Sequence, residues 1–139
     1  SNEKQIKKRF SSNDEDISGI MEFVHDFLES CFTSIKCKKK IELAVEEMAT
    51  NIIHYAYESG KGPIDIELTQ EDPEHLLVTM IDWGTKFDPT MIMPKEPLPD
   101  KIEEIEEGGL GIYLAEQVMD EIRYERFGTE NHLFMRKHF

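Results

Sequence analysis

Glu47-Met48-Ala49-Thr50-Asn51-Ile52-Ile53-His54 carries two patterns at once. At about 100° per residue, Ile41, Val45, Met48, Ile52 and Ala56 fall along one side of a helix. That spacing predicts a helix from about Lys40 to Tyr57, with a buried apolar stripe and a stop near Gly60. Glu47, Asn51, His54 and Glu58 gather within about 60° of each other on the opposite side. By itself this describes a solvated helix face. Two details speak against it. Asn is a poor residue for a helix interior, and Asn51 is followed by Ile52-Ile53 rather than by charges. A Glu one turn before an Asn also sets a proton acceptor beside a neutral oxygen ligand, the pair that a Mg²⁺–phosphate site needs.

Outward from this helix, the chain alternates in type. Lys4–Phe10 reads as a strand, ended by Ser11-Ser12-Asn13-Asp14. That polar stretch also caps a helix from about Glu15 to Ser30 with Ile17, Ile20, Met21, Val24, Phe27 and Leu28 as its stripe. On the other side, Pro63–Thr69 and Leu76–Asp82 read as consecutive strands turning at Glu71-Asp72-Pro73-Glu74. Periodicity then fails from Asp88 to Glu107, which holds four of the six prolines and a run of acids. A segment of that length without regular structure inside one domain is functional or mobile. A helix from about Gly111 to Val118 and a hairpin of Glu121–Phe127 with His132–Lys137 close a mixed α/β chain of five strands and three helices.

The 139 residues make one domain, 1–139, of a size that buries roughly 68–70% of its unfolded surface and needs no staples. No apolar run approaches the roughly 20 residues that span a bilayer, and no charged-then-apolar leader opens the chain, so a soluble cytoplasmic protein is expected. The net charge of −13 is uneven: residues 1–40 come to +1, with Lys36, Lys38, Lys39 and Lys40 clustered, and residues 41–139 to −14. Nucleic acid is a poor partner for such a surface. The lysine cluster reads as a solvated turn before a helix. Cys31 and Cys37 have no zinc spacing and read as two reduced thiols.

Two further motifs bear on chemistry. In Ile81-Asp82-Trp83-Gly84-Thr85-Lys86-Phe87-Asp88-Pro89 an apolar strand ends in a single carboxylate followed by a glycine. It is either a strand-ending turn or an acceptor for a ligand amine, with Gly84 keeping side-chain bulk away from the ligand. Gly108-Gly109-Leu110-Gly111 opens a helix, where backbone N–H groups and the helix dipole favour an anion. No strand precedes these glycines, and neither the dinucleotide fingerprint nor the phosphate-loop spacing is present.

Taken in order, the three motifs resemble the nucleotide-binding boxes of the GHKL ATPase superfamily: Glu47–Asn51 with His54, then Asp82-Trp83-Gly84 with Phe87-Asp88-Pro89, then Gly108–Gly111. Standalone length, the opening strand and helix, and the closing hairpin are most similar to the anti-sigma-factor serine/threonine kinases. The resemblance implies a two-layer α/β (α+β) sandwich of the Bergerat type, a mixed, mostly antiparallel sheet covered on one face by about three helices. It implies ATP and Mg²⁺ as ligands and an ATP lid at 88–107. Asp82 would accept from the adenine amine, with Gly84 and Phe87 beside it. Asn51 would ligate Mg²⁺, and Glu47 would be the general base. The N–H groups of Gly109, Leu110 and Gly111 would hold the phosphates, and Thr129 corresponds to a family threonine near the adenine. His54 matches a common family histidine, for which packing and phosphate contact both stand.

The implied function is an anti-sigma factor that also phosphorylates a STAS-domain antagonist. Its partners would be a sigma factor and that antagonist, without nucleic acid or membrane, and kinases of this kind are often homodimers. One feature departs from the pattern. Members of this branch commonly carry a lid arginine; here the lid offers Lys95 and Lys101, and Glu103, Glu104, Glu106 and Glu107 crowd the glycines. A nucleotide-gated binding module without phosphotransfer is the alternative.

Overall fold

Alternation of apolar and polar residues makes the strands and fixes which face they bury. In the computed structural model, which describes residues 4–58 and 60–139, strand β2 (Pro63–Asp72) turns Ile64, Ile66 and Leu68 inward, all fully buried. Strand β3 (His75–Asp82) does the same with Leu76, Val78 and Met80. Against them pack the stripes of helix α1 (Ile17–Glu29) and helix α2 (Ile35–Tyr55), including Ile20, Val24, Ile41, Val45 and Met48. Helix α3 (Gly109–Val118) adds Ile112 and Ala115. Each of the Val, Leu, Ile and Met side chains among them contributes roughly 1.5–3 kcal/mol by leaving water.

Strand β1 (Lys4–Ser11), strand β4 (Glu121–Phe127) and strand β5 (Glu130–His138) complete a five-stranded sheet in the order β1-β2-β3-β5-β4. Every pairing is antiparallel, so the mostly antiparallel sheet expected contains no parallel pair among the described residues. The β3–β5 register sets Asp82 opposite Asn131. On the outer face Arg9 forks onto Asp65, Nε to Oδ1 at 2.7 Å and Nη2 to Oδ2 at 3.1 Å. That pairing holds the Asp65 carboxyl below its ordinary range.

Helix α2 begins at Ile35, not near Lys40. Ser34 caps it by accepting from the Cys37 N–H at 3.1 Å, and buried Cys37 extends the apolar stripe one turn upstream of Ile41. The lysine cluster therefore occupies the first turns of the helix, a placement the helix dipole disfavours and the cap and stripe outweigh. The helix also ends sooner, at Tyr55, because the chain folds back: Thr85 N–H donates to Ala56 O at 2.7 Å, and the Tyr57 hydroxyl donates to Pro63 O at 2.6 Å.

The irregular segment between β3 and α3 holds two short 3₁₀ turns, Pro89–Ile92 and Ile102–Glu104. Asp88 caps the first, accepting from the N–H and the hydroxyl of Thr90. No helix among the described residues is long and apolar enough to cross a membrane.

Candidate functional site

At the end of β3, Asp82 is only 4% exposed. Burial pushes its carboxyl above the ordinary aspartate range, opposed by hydrogen bonds from Asn131 and the Gly84 N–H. Both donors meet the same oxygen, Oδ1, at 2.8 and 2.9 Å. Around Asp82 opens a largely apolar indentation of about 360 Å³ including its mouth. Met48, Asn51, Ile52, Phe87, Tyr124 and Leu133 are among its walls.

The second cluster joins α2 to the glycine turn. Gly108, at φ +84°, caps α3 in the left-handed region, so the chain can turn directly into the helix. Asn51, 7% exposed, donates Nδ2 to Gly108 O across 3.3 Å. Glu47 sits against Gly111: a Cβ there would lie 2.9 Å from Glu47 Oε1. Of the side of α2 that reads as solvated, Glu47 and Asn51 are thus covered by α3, while His54 and Glu58 stay exposed. Glu47 is half-buried, and burial together with Glu46 raises its carboxyl, as suits a proton acceptor. Gly109 is buried, and Leu110 and Gly111 are half-buried beside Glu47 and Asn51.

Other expected residues fall differently. Gly84 is required by packing: a Cβ would lie 2.0 Å from Ala56 O, where β3 meets the end of α2. His54 is exposed, its Nε2 3.2 Å from Asp14 Oδ1, and it does not line the indentation. Thr129 is exposed in the β4–β5 turn and does not line the indentation. Asn131, two residues on, does. Sequence reasoning missed it, together with Tyr124 and Arg126, which both donate to Asn131 Oδ1. The available signal was an Asn in a strand, where Asn is disfavoured.

Glu103, Glu104, Glu106 and Glu107 are all exposed, as are Lys95 and Lys101. Arg126 reaches the indentation through its lining residue Asn131, donating to Asn131 Oδ1 at 3.0 Å and to Gly84 O at 2.9 Å. Among the described residues there is no cluster of three or more His, Cys, Asp or Glu that would hold a metal by protein ligands alone. A single neutral oxygen such as Asn51 Oδ1 suits a divalent ion that takes its other ligands from phosphates and water.

Residues 10–137 match the family model described as "Histidine kinase-like ATPase domain". The chain is 33% identical over 90 residues to the serine-protein kinase RsbW of Bacillus subtilis, covering 61% of this chain and 55% of that one. It therefore spans little more than half of that kinase's length. To the anti-sigma F factor of Clostridium acetobutylicum it is 27% identical over 138 residues, covering 99% and 95% of the two chains. In fold it is similar to the crystal structure of the RsbU and RsbW domains of Rv1364c from Mycobacterium tuberculosis, with TM-score 0.67 and 13% identity. That likeness covers 96% of this chain and 32% of the other.

Proposed function

This chain belongs to the histidine kinase-like ATPase family, and on that premise we propose that it binds Mg-ATP between α2, α3 and the end of β3 and acts as a serine/threonine kinase and anti-sigma factor. One observation carries the reading: three motifs separated by tens of residues converge, with Glu47 and Asn51 against the Gly108–Gly111 turn and Asp82 in the wall of the same indentation as Asn51. Asp82 would take the exocyclic amine of the base. Asn51 would hold Mg²⁺, which supplies positive charge against the phosphates. The N–H groups of Leu110 and Gly111 would face the phosphate oxygens at the positive end of α3, while that of Gly109 donates to Glu106 O at 2.8 Å.

Glu47 would then take the proton of a serine hydroxyl on the target, leaving that oxygen to bond to the terminal phosphorus as ADP departs. The target we propose is a STAS-domain antagonist, and the second partner a sigma factor, by similarity to the RsbW kinase and the anti-sigma F factor. Lid segment 88–107 would close over the nucleotide. Its exposed acids point to solvent, which relieves their repulsion of a triphosphate.

The test is phosphate transfer from Mg-ATP to a STAS-domain protein, with Glu47→Gln as control. Transfer lost in Glu47→Gln supports the kinase. The lack of an arginine in 88–107 favours a second reading, a nucleotide-gated binding module. Tight Mg-ATP binding with neither turnover nor transfer would select it.

A further inference from the structure

The Asn131 amide uses every hydrogen-bonding position it has. Its Nδ2 donates to Asp82 Oδ1 at 2.8 Å and to Thr85 O at 2.9 Å. Its Oδ1 accepts from the Tyr124 hydroxyl at 2.5 Å and from Arg126 Nη1 at 3.0 Å. Two donors and two acceptors are the full capacity of a primary amide, and here they lie in a side chain with 4% exposure. Orientation is enforced from both ends. The guanidinium of Arg126 cannot accept a hydrogen bond and the Thr85 carbonyl cannot donate one, so only one flip of the amide satisfies all four partners. Arg126 is itself anchored, with Nε donating to Gly128 O at 2.8 Å and Nη1 to Gly84 O at 2.9 Å.

The consequence falls on Asp82. Oδ1 is filled by Asn131 and the Gly84 N–H. Oδ2 has no partner among the described residues, yet no such atom is sealed from solvent. It is left to the indentation that Asp82 lines. We propose that Asn131 is a positioning and specificity-determining residue: by filling one oxygen of Asp82 and fixing the carboxylate plane, it leaves a single acceptor for the base. Bases carrying an amine there, the 6-aminopurines, are then accepted, and 6-oxopurines meet oxygen with oxygen and are rejected. This rests on the nucleotide reading of the site.

A purely structural role makes a different prediction. Asn131 also fastens Thr85, whose N–H is bonded to Ala56 O, so a loosened wall would weaken every nucleotide alike. A positioning role changes the ratio between bases. The experiment is calorimetric titration of the full chain with Mg-ADP and with Mg-IDP, beside thermal melts without ligand, for wild type, Asn131→Leu, Asn131→Thr and Arg126→Gln. Thr suits a strand and keeps a hydroxyl donor for Asp82 while losing the amide oxygen.

Asn131→Leu is expected to lose about tenfold in ADP affinity and about twofold or less for IDP, and Asn131→Thr to recover most of the preference. Equal losses for both ligands, an undiminished preference in Asn131→Leu, or Asn131→Thr behaving as Asn131→Leu overturns the proposal. Should Asn131→Leu fail to fold, Arg126→Gln decides: the preference falls if the proposal holds and is unchanged if it does not. Wild type binding ADP and IDP alike overturns this inference alone. Wild type binding neither overturns the nucleotide reading and this inference with it.

Discussion

Asn51 donates its side-chain amide to the main-chain carbonyl of Gly108, 57 residues later and 3.3 Å away. Through that bond, helix α2 is tied to the turn that opens helix α3, and Glu47 one turn earlier is brought onto Gly111. Asn51→Ala removes the tie and the oxygen proposed for Mg²⁺. The ligand-free chain is expected to lose about 0.5–1.5 kcal/mol, the ordinary worth of one hydrogen bond. The larger effect is on metal dependence. Wild type should melt higher with Mg-ADP than with ADP and a chelator, and Asn51→Ala should show no such difference; a difference that persists rules out Asn51 as the metal ligand.

Glu47 tests chemistry apart from binding. Its half-buried carboxyl, raised by burial, lies against the α3 N-terminus, and Gln occupies the same volume without the charge. Glu47→Gln is expected to bind Mg-ATP as wild type does and to lose transfer by about 10²–10⁴-fold. Loss of binding in proportion to transfer would mean that Glu47 holds the ligand rather than a proton.

Gly84 separates two reasons for a glycine. As a spacer for a ligand it would matter only when the ligand is present. The structure gives it another reason, since a Cβ would be driven into Ala56 O. Gly84→Ala should therefore destabilise the ligand-free chain by about 1–3 kcal/mol, the usual cost of overpacking. A denaturant melt reads it directly, and an unchanged midpoint with weakened nucleotide binding would restore the spacer role.

These residues also mark what the sequence can and cannot disclose. Helix α2 and the β2–β3 pair are legible because their signal is local: Ile41, Val45, Met48 and Ile52 repeat at helical spacing, and Ile64, Ile66 and Leu68 alternate. The start of α2 is missed because four lysines hide a stripe that Cys37 continues and Ser34 caps. Glu47, Asn51 and Asp82 stand out as candidates only in combination with the glycines. Asn131 offers only the weak local signal of an Asn in a strand, because its meaning arises from the β3–β5 register that sets it opposite a residue 49 positions earlier. Gly84 has a packing reason that the sequence does not contain, the approach of Ala56.

Arg9 and Asp65 give a pH signature on the outer face. Hydrogen bonding by Arg9 lowers the folded Asp65 carboxyl below its unfolded value. The stability it supplies is therefore complete above the unfolded carboxylate range and lost as pH falls through the lower folded value. Arg9→Gln should be less stable than wild type at about pH 7, with the deficit closing in acid as pH falls below the ordinary aspartate range. Arg9 also lies over the Trp83 ring, 4.9 Å from its centroid. A deficit that does not change with pH would assign the loss to that packing instead.

Asp82 carries the opposite sign. Burial raises its folded carboxyl, so its favourable contribution is present below the unfolded value and is lost as pH rises through the raised folded value. Above that raised folded value the ionised Asp82 costs the ligand-free fold stability. Asp82→Asn keeps the shape and an oxygen for the Asn131 and Gly84 donors but removes the charge. Its ligand-free melt at about pH 7 is expected to equal or exceed that of wild type, with the difference vanishing in acid. With Mg-ADP at about 100 times its dissociation constant, wild type should gain about 2.7 kcal/mol and Asp82→Asn almost none. A variant less stable than wild type in both conditions would make Asp82 a structural residue; one that keeps the full nucleotide shift would move the base elsewhere.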